Sequence, residues 1–201
     1  MRRLVDLLLA VPALIALGPT ILALGVAVRL ESPGGALFRQ TRVGRGGAEF
    51  TMLKLRSMRA DRNEQGTVMG GSVDPRVTRM GAILRKTHLD ELPQLLNVVR
   101  GEMTLIGPRP EVPDFVAHYT MAQRDVLRVR PGITGPGQVE YATRWEPLLD
   151  GAEDVNAVYL DQIMGPKLEL ELAYLRSRSL AADVQIIRET VGALAGALTR
   201  P

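Results

Sequence analysis

The chain of 201 residues has no cysteine and only two histidines, His88 and His118. Disulfide bonds, a thiolate nucleophile and a zinc site with cysteine ligands are therefore excluded, and so is a metal centre rich in histidine. Aromatic residues make up 4% of the sequence, and the basic residues are spread along the chain. These two features argue against nucleic acid as a partner, because proteins that bind it combine basic patches with stacking aromatic side chains.

Lysine is scarce as well. Only Lys54, Lys86 and Lys167 are lysines among the 25 basic residues, so the rest are arginines. The planar arginine side chain can bind two phosphate oxygens at once. Two interpretations stay open, namely a protein that handles phosphate groups or the codon bias of a GC-rich genome. The length suits one compact domain with a short appendage rather than two full domains.

Charged residues are absent from residues 7–28, a run of 22 residues. A helix needs about 20 such residues to cross the hydrocarbon core of a bilayer. However, Pro12 and the pair Gly18-Pro19 interrupt the run. Proline inside a helix removes a hydrogen bond and kinks the axis, which favours a bent segment that re-enters the side it came from.

Both flanks of this run are basic, with Arg2 and Arg3 before it and Arg29 after it. The positive-inside rule therefore permits both ends to lie on the cytosolic side. A spanning helix and a cleaved signal peptide are the alternatives, and Asp6 together with the prolines argues against the signal peptide. We expect a re-entrant membrane segment at residues 1–30, with its break at Gly18 and Pro19.

Two short β-prone runs, residues 36–40 and 49–56, flank a glycine-rich segment at 44–47. This pattern predicts a β-hairpin. Beyond it, helical signals dominate. Apolar residues recur at helical spacing at Leu89, Leu92, Leu96 and Val99. Pro93 suits the first turn of that helix, and Gly101 suits its end.

Further helices are predicted at residues 115–128 and near the C-terminus, while residues 130–136 are predicted to form a rigid loop. The C-terminal helix is predicted from an amphipathic stripe of Val184, Ile187, Val191, Leu194 and Leu198. No internal repeat or linker divides the chain after residue 30. The fold expected is α+β, mainly helical, with one compact domain at residues 31–201.

Asp90 and Glu91 are adjacent carboxylates at or just before a predicted helix N-terminus, where the helix dipole stabilises their charge by about 0.3–1 kcal/mol. Two neighbouring carboxylates repel each other unless a cation lies close by. Mg²⁺ suits this role, because it takes one or two protein carboxylates and completes its shell with phosphate oxygens and water. A plain helix cap is the alternative. Arg109, eighteen residues after Glu91, lies in a turn stiffened by Pro108 and Pro110.

The stretch Arg85-Lys86-Thr87-His88-Leu89-Asp90-Glu91-Leu92-Pro93-Gln94-Leu95, followed by Gly107-Pro108-Arg109-Pro110, resembles the signature of bacterial sugar transferases. These are monotopic phosphoglycosyl transferases, which load a sugar phosphate onto a polyprenyl phosphate. Pro131-Gly132-Ile133-Thr134-Gly135 also resembles the family, and the resemblance extends over almost the whole chain. It implies a cytosolic domain with a small β-hairpin, anchored by a helix-break-helix segment and by amphipathic helices in the membrane interface.

The resemblance implies a covalent mechanism with two steps. Asp90 attacks the β-phosphate of a UDP-sugar, UMP leaves, and polyprenyl (undecaprenyl) phosphate then takes the phosphosugar. Asp90 and Glu91 are the implied ligands of Mg²⁺, and Glu91 holds the metal or assists the second step. The product starts the assembly of a glycan, such as an exopolysaccharide, an O-antigen or a glycoprotein glycan.

Further residues are implied to bind the substrates and their phosphates: Lys54, Arg56, Arg85, Pro108, Arg109, Pro110, Gly132, Thr134 and Gly135. Residues 136–144 depart from the pattern of many family members and leave the sugar open. The implied location is the cytosolic face of the bacterial inner membrane, in contact with the inner leaflet. A homodimer is compatible with the resemblance but is not implied by it. A non-catalytic membrane adaptor and a phosphohydrolase that uses the same aspartate are the alternatives.

Overall fold

The computed structural model describes residues 2–59, 74–149 and 152–199. The helices are α1 (Arg2–Glu31), α2 (Arg79–Thr87), α3 (Gln94–Arg100), α4 (Pro113–Ala117), α5 (Pro136–Glu140), α6 (Glu146–Leu149), α7 (Val155–Val158), α8 (Met164–Arg176) and α9 (Leu180–Thr199). The strands are β1 (Leu37–Val43), β2 (Glu49–Leu55), β3 (Thr104–Ile106) and β4 (Gly132–Thr134). Single turns of 3₁₀-helix lie at Arg45–Gly47 and Leu89–Glu91, a longer one at Gln123–Arg128, and π-helical turns at Tyr141–Trp145 and Tyr159–Ile163. The expected mainly helical α+β fold is confirmed.

The predicted β-hairpin is confirmed. Strands β1 and β2 pair antiparallel, with Leu37 opposite Leu55 and Val43 opposite Glu49. The connection contains Gly46 and Gly47, whose φ angles of 72° and 81° lie in the region that only glycine adopts easily. Strand β2 turns Met52 and Leu55 into the core, and this packing fixes the strand that carries Lys54.

Residues 130–136, predicted as a loop, contain a strand instead. β4 pairs in parallel with β3, with Thr104 opposite Gly132 and Ile106 opposite Thr134. Three-residue strands carry too weak a periodic pattern to be recognised from sequence. This short sheet holds the two segments that flank the turn at residues 107–110.

Helix α1 runs without interruption through Gly18 and Pro19, so the predicted helix break at these residues is wrong. Each proline deletes only one N–H donor, and the alanine and leucine residues around it favour a helix. Among the described residues, α1 alone is long and apolar enough to cross a membrane.

The start of α1 is bonded to the rest of the protein. Arg3 Nη2 donates to the carbonyl oxygen of Val99 at 2.8 Å. Asp6 is buried, although it lies in an apolar helix. Its Oδ1 accepts hydrogen bonds from Thr104 Oγ1 at 2.8 Å and from the backbone N–H of Leu105 at 3.1 Å. The charged groups at this end therefore attach α1 to α3 and β3.

The other end of α1 is bonded to the protein as well. Arg56 Nη2 donates to the carbonyl oxygen of Ser32 at 2.8 Å, just after the last turn. The carboxylate of Glu31 accepts from the backbone N–H of Met80 at 3.0 Å and so caps α2. At about 1.5 Å per residue, α1 is about 45 Å long, and both of its ends are held by this one body.

In the part of the chain that the structure describes, the apolar core has three clusters. The largest surrounds Trp145, Tyr159 and Leu168 and contains a stacked ring pair, Phe115 and Tyr159, with centroids 4.7 Å apart. The other two attach α1 to the domain. One gathers Ala10, Met52, Leu95, Val98 and Met103, and the other gathers Val28, Leu55 and Leu84. Leu89, the residue before Asp90, packs against the cluster that contains Val28.

Residues 115–128 do not form one helix, so that prediction is wrong. Helix α4 ends at Ala117, and a 3₁₀-helix begins at Gln123. The backbone N–H of Thr120 donates to Gln123 Oε1 at 2.9 Å, and the N–H of Gln123 donates to Thr120 Oγ1 at 3.3 Å. This reciprocal capping starts a new turn and separates the two segments.

Helix α9 is confirmed, and three residues of its predicted stripe face outwards. Val184, Ile187 and Val191 are 56%, 44% and 59% exposed, whereas Ile186 on another face is buried. An amphipathic helix on a soluble protein normally buries its apolar stripe. The outward orientation leaves α9 with an apolar surface of its own.

Candidate active site

Asp90 and Glu91 lie in the 3₁₀ turn between α2 and α3. His88 ends α2 in the left-handed region, at φ 53°, and its backbone N–H bonds to the carbonyl oxygen of Arg85. Pro93 caps the start of α3 and Gly101 caps its end. Asp90 and Glu91, called the acidic pair below, therefore lie just before a helix, as predicted from the sequence.

Lys54 brings a cation from β2 to this pair. Its Nζ lies 2.6 Å from Glu91 Oε1 and 3.9 Å from Asp90 Oδ2. Arg109 Nη2 reaches the same Oε1 of Glu91 at 3.0 Å. Two of the predicted substrate-binding side chains, Lys54 and Arg109, thus meet at the carboxylate of Glu91.

The two carboxylates differ in their electrostatic environment. Burial alone would raise the pKa of Glu91, but the charges of Lys54 and Arg109 outweigh it and hold that pKa well below its usual range. Burial raises the pKa of Asp90, and the charge of Lys54 only partly opposes this shift. Among the described residues, no group donates a hydrogen bond to the Asp90 carboxylate. Glu91 is therefore held by two close cationic partners, whereas Asp90 has only the more distant charge of Lys54.

The turn at residues 107–110 is held by a hydrogen bond at each of its four residues. The N–H of Gly107 donates to Thr134 at 2.9 Å, and the carbonyl of Pro108 accepts from Gly132 at 2.8 Å. The N–H of Arg109 donates to Glu171 Oε1 at 3.0 Å, and the carbonyl of Pro110 accepts from Arg42 Nη1 at 3.0 Å. The backbone that carries Arg109 is therefore rigid.

Gly132, Thr134 and Gly135 lie against this turn. A Cβ atom on Gly132 would come within 2.2 Å of the Gly107 nitrogen, and one on Gly135 within 2.2 Å of the Gly107 oxygen. Only glycine permits this approach of the two backbones. The contacts support the turn, and a direct contact of these residues with substrate stays a prediction.

Arg56 is not brought to the cluster. It is buried, and its guanidinium donates to the carbonyl oxygens of Val28, Ser32 and Pro33. These contacts use its charge at the C-terminal end of α1, where a cation stabilises unpaired carbonyl groups. The structure therefore places Arg56 at the end of α1 and not beside Asp90 and Glu91, and its phosphate-binding role stays a prediction. Arg85 donates to Ser57 Oγ at 3.0 Å, and its phosphate-binding role stays a prediction.

Sequence reasoning missed Asn97, which joins the two halves of the site. It is fully buried. Its Oδ1 accepts from the N–H of Leu53 at 3.1 Å, and its Nδ2 donates to the carbonyl of Thr51 at 2.7 Å. Asn97 thus connects α3, which follows the acidic pair, with the strand of Lys54. A polar residue among the apolar positions of this helix was the available signal.

A buried charge network behind Arg109 was missed as well. Glu111 pairs with Lys167 and Tyr159 on one side and lies 3.5 Å from Arg42 on the other. Burial alone would raise the pKa of Glu111, but Lys167 and Arg42 lower it below its usual range. Only Lys167 carried a signal, because it is one of three lysines in the chain.

The sequence of the chain is similar to those of known bacterial transferases. The family model described as bacterial sugar transferase matches residues 1–197. The UDP-glucose:undecaprenyl-phosphate glucose-1-phosphate transferase of Caulobacter vibrioides is 38% identical over 96% of this chain and 69% of its own length. The UDP-N-acetylgalactosamine-undecaprenyl-phosphate N-acetylgalactosaminephosphotransferase of Aeromonas hydrophila is 37% identical over 94% of this chain.

The exopolysaccharide production protein ExoY of Sinorhizobium fredii is 36% identical over 96% of this chain and 84% of its own length. Coverage of the relatives differs widely, since the chain spans only 42% of the Aeromonas protein. These matches confirm the resemblance drawn from residues 85–110 and 130–135, and with it the expectation of a transferase.

Proposed function

This chain belongs to the bacterial sugar transferase family, and on that premise we propose that it transfers a sugar 1-phosphate from a UDP-sugar to undecaprenyl phosphate. The main observation in support is that the two residues of the acidic pair have different partners. Lys54 and Arg109 both bind Glu91, while Asp90 beside it has no hydrogen-bond donor among the described residues. The arrangement supports one carboxylate as the nucleophile and the other as a fixed anchor.

In the first step, a carboxylate oxygen of Asp90 attacks the β-phosphorus of the UDP-sugar. The bond from this phosphorus to the oxygen that bridges both phosphates breaks, and UMP leaves with that oxygen. The phosphosugar remains as an acyl phosphate on Asp90. Burial favours the attack, because a poorly hydrated carboxylate is more nucleophilic. Lys54 and Arg109, which both bind Glu91 beside Asp90, are proposed to stabilise the charge that develops on the phosphates.

In the second step, a phosphate oxygen of undecaprenyl phosphate attacks the same phosphorus. The carboxylate of Asp90 leaves, and the product is undecaprenyl diphosphosugar. The acceptor is already anionic, so it needs little help from a general base. The energy of the UDP diphosphate bond is thereby kept in the lipid product, which can start a glycan.

Magnesium fits this site by charge. Asp90 and Glu91 carry two negative charges, and Lys54 and Arg109 carry two positive charges, so the cluster is neutral without substrate. A diphosphate with two negative charges would need a matching dication, and carboxylates with phosphate oxygens are its preferred ligands. Asp90 and Glu91 are the proposed ligands. When bound, Mg²⁺ would neutralise charge on the transferring phosphate.

The proposal includes a location at the cytosolic face of the inner membrane. Large apolar side chains of α1 face outwards, Ile15 at 74% and Leu22 at 71% exposure, and the stripe of α9 adds to them. A spanning helix leaves one end on the far side of the membrane. Because Asp6 and Glu31 attach both ends of α1 to one body, we favour a helix that enters the inner leaflet and returns.

This topology can be tested because the chain has no cysteine. A hydrophilic tag with one cysteine is placed before Met1, and in a second variant after Pro201. An impermeant thiol reagent should label neither tag in intact cells and both after disruption of the membrane. Labelling of the N-terminal tag alone in intact cells would mean that α1 spans.

The activity is tested by UMP release from a panel of UDP-sugars that includes UDP-glucose and UDP-N-acetylgalactosamine, the two donors named in the relatives. Without acceptor, intact-mass spectrometry should show a phosphosugar adduct on wild type. Asp90→Asn should show neither adduct nor UMP release. Full turnover by Asp90→Asn would rule out the covalent mechanism.

The alternatives separate in the same assay when the sugar is radiolabelled. The transferase moves label into the lipid phase in the presence of undecaprenyl phosphate. A phosphohydrolase, which uses water as the acceptor, releases sugar 1-phosphate into the aqueous phase instead. A membrane adaptor moves no label, and its membrane binding tolerates substitution of Asp90, Glu91 and Arg109.

A further inference from the structure

Glu171 lies on the inward face of α8, 62 residues from Arg109 in sequence, and is 1% exposed. Its Oε1 accepts a hydrogen bond from the backbone N–H of Arg109 at 3.0 Å. The side chain of Arg109 in turn bonds to Glu91. A chain of contacts therefore runs from the interior of the domain to the acidic pair.

Helix α5 leaves room for this carboxylate. A Cβ atom on Gly137 would lie 2.6 Å from Glu171 Oε1 and 3.1 Å from a side-chain carbon of Lys167. Any larger residue at position 137 would therefore displace Glu171 from the turn. The glycine is needed because Glu171 reaches past it to Arg109.

Within the described residues, Glu171 forms no ion pair that neutralises its charge directly. Lys167, one turn earlier on α8, pairs with Glu111, and Glu171 Oε2 has no hydrogen-bond partner among the described residues. Burial raises the pKa of Glu171 to about 7; Lys167 and Arg109 oppose this shift, and Glu111 adds to it. Tyr119 and Tyr159 also face this carboxylate, and burial keeps both phenols neutral by raising their pKa values.

We propose that Glu171 is a positioning residue, which sets the backbone of Arg109 so that its guanidinium meets Glu91. Its effect on turnover rests on the proposed function, whereas the hydrogen bond itself does not. An ionised carboxylate is a stronger acceptor than a neutral one. The hydrogen bond from the Arg109 N–H to Glu171 therefore becomes stronger as pH rises through about 7.

The turn provides its own reporter. Pro108 and Pro110 carry no amide hydrogen, so the four residues 107–110 contain only the amides of Gly107 and Arg109. The Gly107 amide bonds to Thr134 and serves as an internal control. Hydrogen exchange can be measured at single amides on the full chain in detergent. The exchange rate of the Arg109 amide then reports on its hydrogen bond to Glu171, and the measurement requires no enzymatic activity.

Two variants remove the contact by independent routes. Glu171→Ala deletes the acceptor, and Gly137→Ala displaces it by the close Cβ contact. Each should speed exchange of the Arg109 amide by roughly tenfold or more, which corresponds to the loss of a hydrogen bond to a charged group, and should leave Gly107 unchanged. Gly165→Ala on α8 is the matched control, because its Cβ meets no atom within 4 Å.

Glu171→Gln keeps an acceptor oxygen and removes the charge. The quantity to compare is the ratio of the protection factor of the Arg109 amide to that of the Gly107 amide. In wild type this ratio should rise as pH increases through about 7, and in Glu171→Gln it should not change with pH. If Glu171→Ala does not fold, Gly137→Ala and Glu171→Gln still provide the test. Arg109 exchange that is unchanged in all variants that fold would overturn the proposal.

Measurements of turnover test whether Glu171 affects the reaction by positioning Arg109. Glu171→Ala should lower kcat/KM, and the double variant with Arg109→Ala should be no worse than Arg109→Ala alone. Additive losses would mean that Glu171 does not act through Arg109. Absence of UMP release by wild type with every UDP-sugar would instead contradict the proposed function, and the exchange result on Glu171 would stand.

Discussion

Lys54 and Glu91 form a 2.6 Å ion pair between β2 and the turn that precedes α3. The same ammonium group lies 3.9 Å from Asp90. Two neighbouring carboxylates thus share one cation unequally. This inequality gives Asp90 and Glu91 different chemistry, although they are adjacent in sequence and belong to one motif.

We expect Lys54→Met to reduce kcat for UMP release by about 100-fold or more, since loss of one charge-stabilising donor typically costs 10²–10³. The variant also leaves Glu91 with Arg109 as its remaining cation. The control is Arg128→Met, which removes an exposed ion pair with Asp125 and should leave kcat unchanged. Wild-type turnover in Lys54→Met would show that this ammonium group does not act in the reaction.

The stability contribution of Glu91 should depend on pH. Its pKa is depressed in the folded state, so the ionised form is stabilised above the ordinary value of 4.5 and this stabilisation is lost as pH falls below it. The unfolding midpoint of wild type should therefore exceed that of Glu91→Gln at pH 6, and the difference should shrink as pH falls below 4.5. Glu169→Gln, an exposed position on α8, is the control, and equal differences at all pH values would contradict the prediction.

Magnesium should bind together with the donor. Lys54 and Arg109 already neutralise the acidic pair, so Mg²⁺ alone should raise the unfolding midpoint little. With a UDP-sugar analogue that has a methylene bridge between its phosphates, the shift should be larger than for either ligand alone. Chelation by EDTA should stop UMP release, and Mg²⁺ should restore it. Turnover that continues in EDTA would exclude a metal requirement.

Asp6 should stabilise the attachment of α1. Asp6→Leu leaves the Thr104 hydroxyl and the Leu105 N–H without their acceptor. We expect a loss of about 1–3 kcal/mol in the free energy of unfolding. Asp6→Asn keeps one acceptor oxygen and should lose less. Equal losses in both variants would mean that packing, not these hydrogen bonds, holds this end of the helix.

Asn97 should affect both stability and activity. Asn97→Leu is close in volume but removes the bonds to Leu53 and Thr51, and each buried group left unpaired costs about 1–3 kcal/mol. Turnover should fall further than the loss of folded protein explains, because Lys54 is no longer held in register with Asp90. Thermal unfolding and kcat are measured together, and an active but merely less stable variant would limit Asn97 to a structural role.

Local sequence signals were sufficient to predict the hairpin and the turn that carries Asp90. Glycines with positive φ angles mark the hairpin connection, and Gly101 marks the end of α3. Such features depend on a few neighbouring residues, so they can be recognised from the sequence. The family motif likewise lies within residues 85–110, and the comparisons confirmed it.

Other features depend on contacts between distant residues. The family resemblance implies that Arg56 binds substrate, yet tertiary packing places its guanidinium at the end of α1. Pro19 was predicted to break α1, but the helix continues because the flanking residues favour it. Helix α9 was recognised from its apolar stripe, whereas the exposure of Val184, Ile187 and Val191 depends on which face of the helix packs against the domain.

The sequence by itself determined the class of the protein, the hairpin, the acidic pair and the stiff turn around Arg109, because each is encoded over a short stretch of chain. Only the tertiary structure decided that Lys54 and Arg109 meet at Glu91, that Asn97 joins β2 to α3, and that Glu171 holds the Arg109 backbone. The physical reason is that hydrogen bonds and ion pairs act over about 3–4 Å, and only folding brings residues so far apart in sequence within that distance.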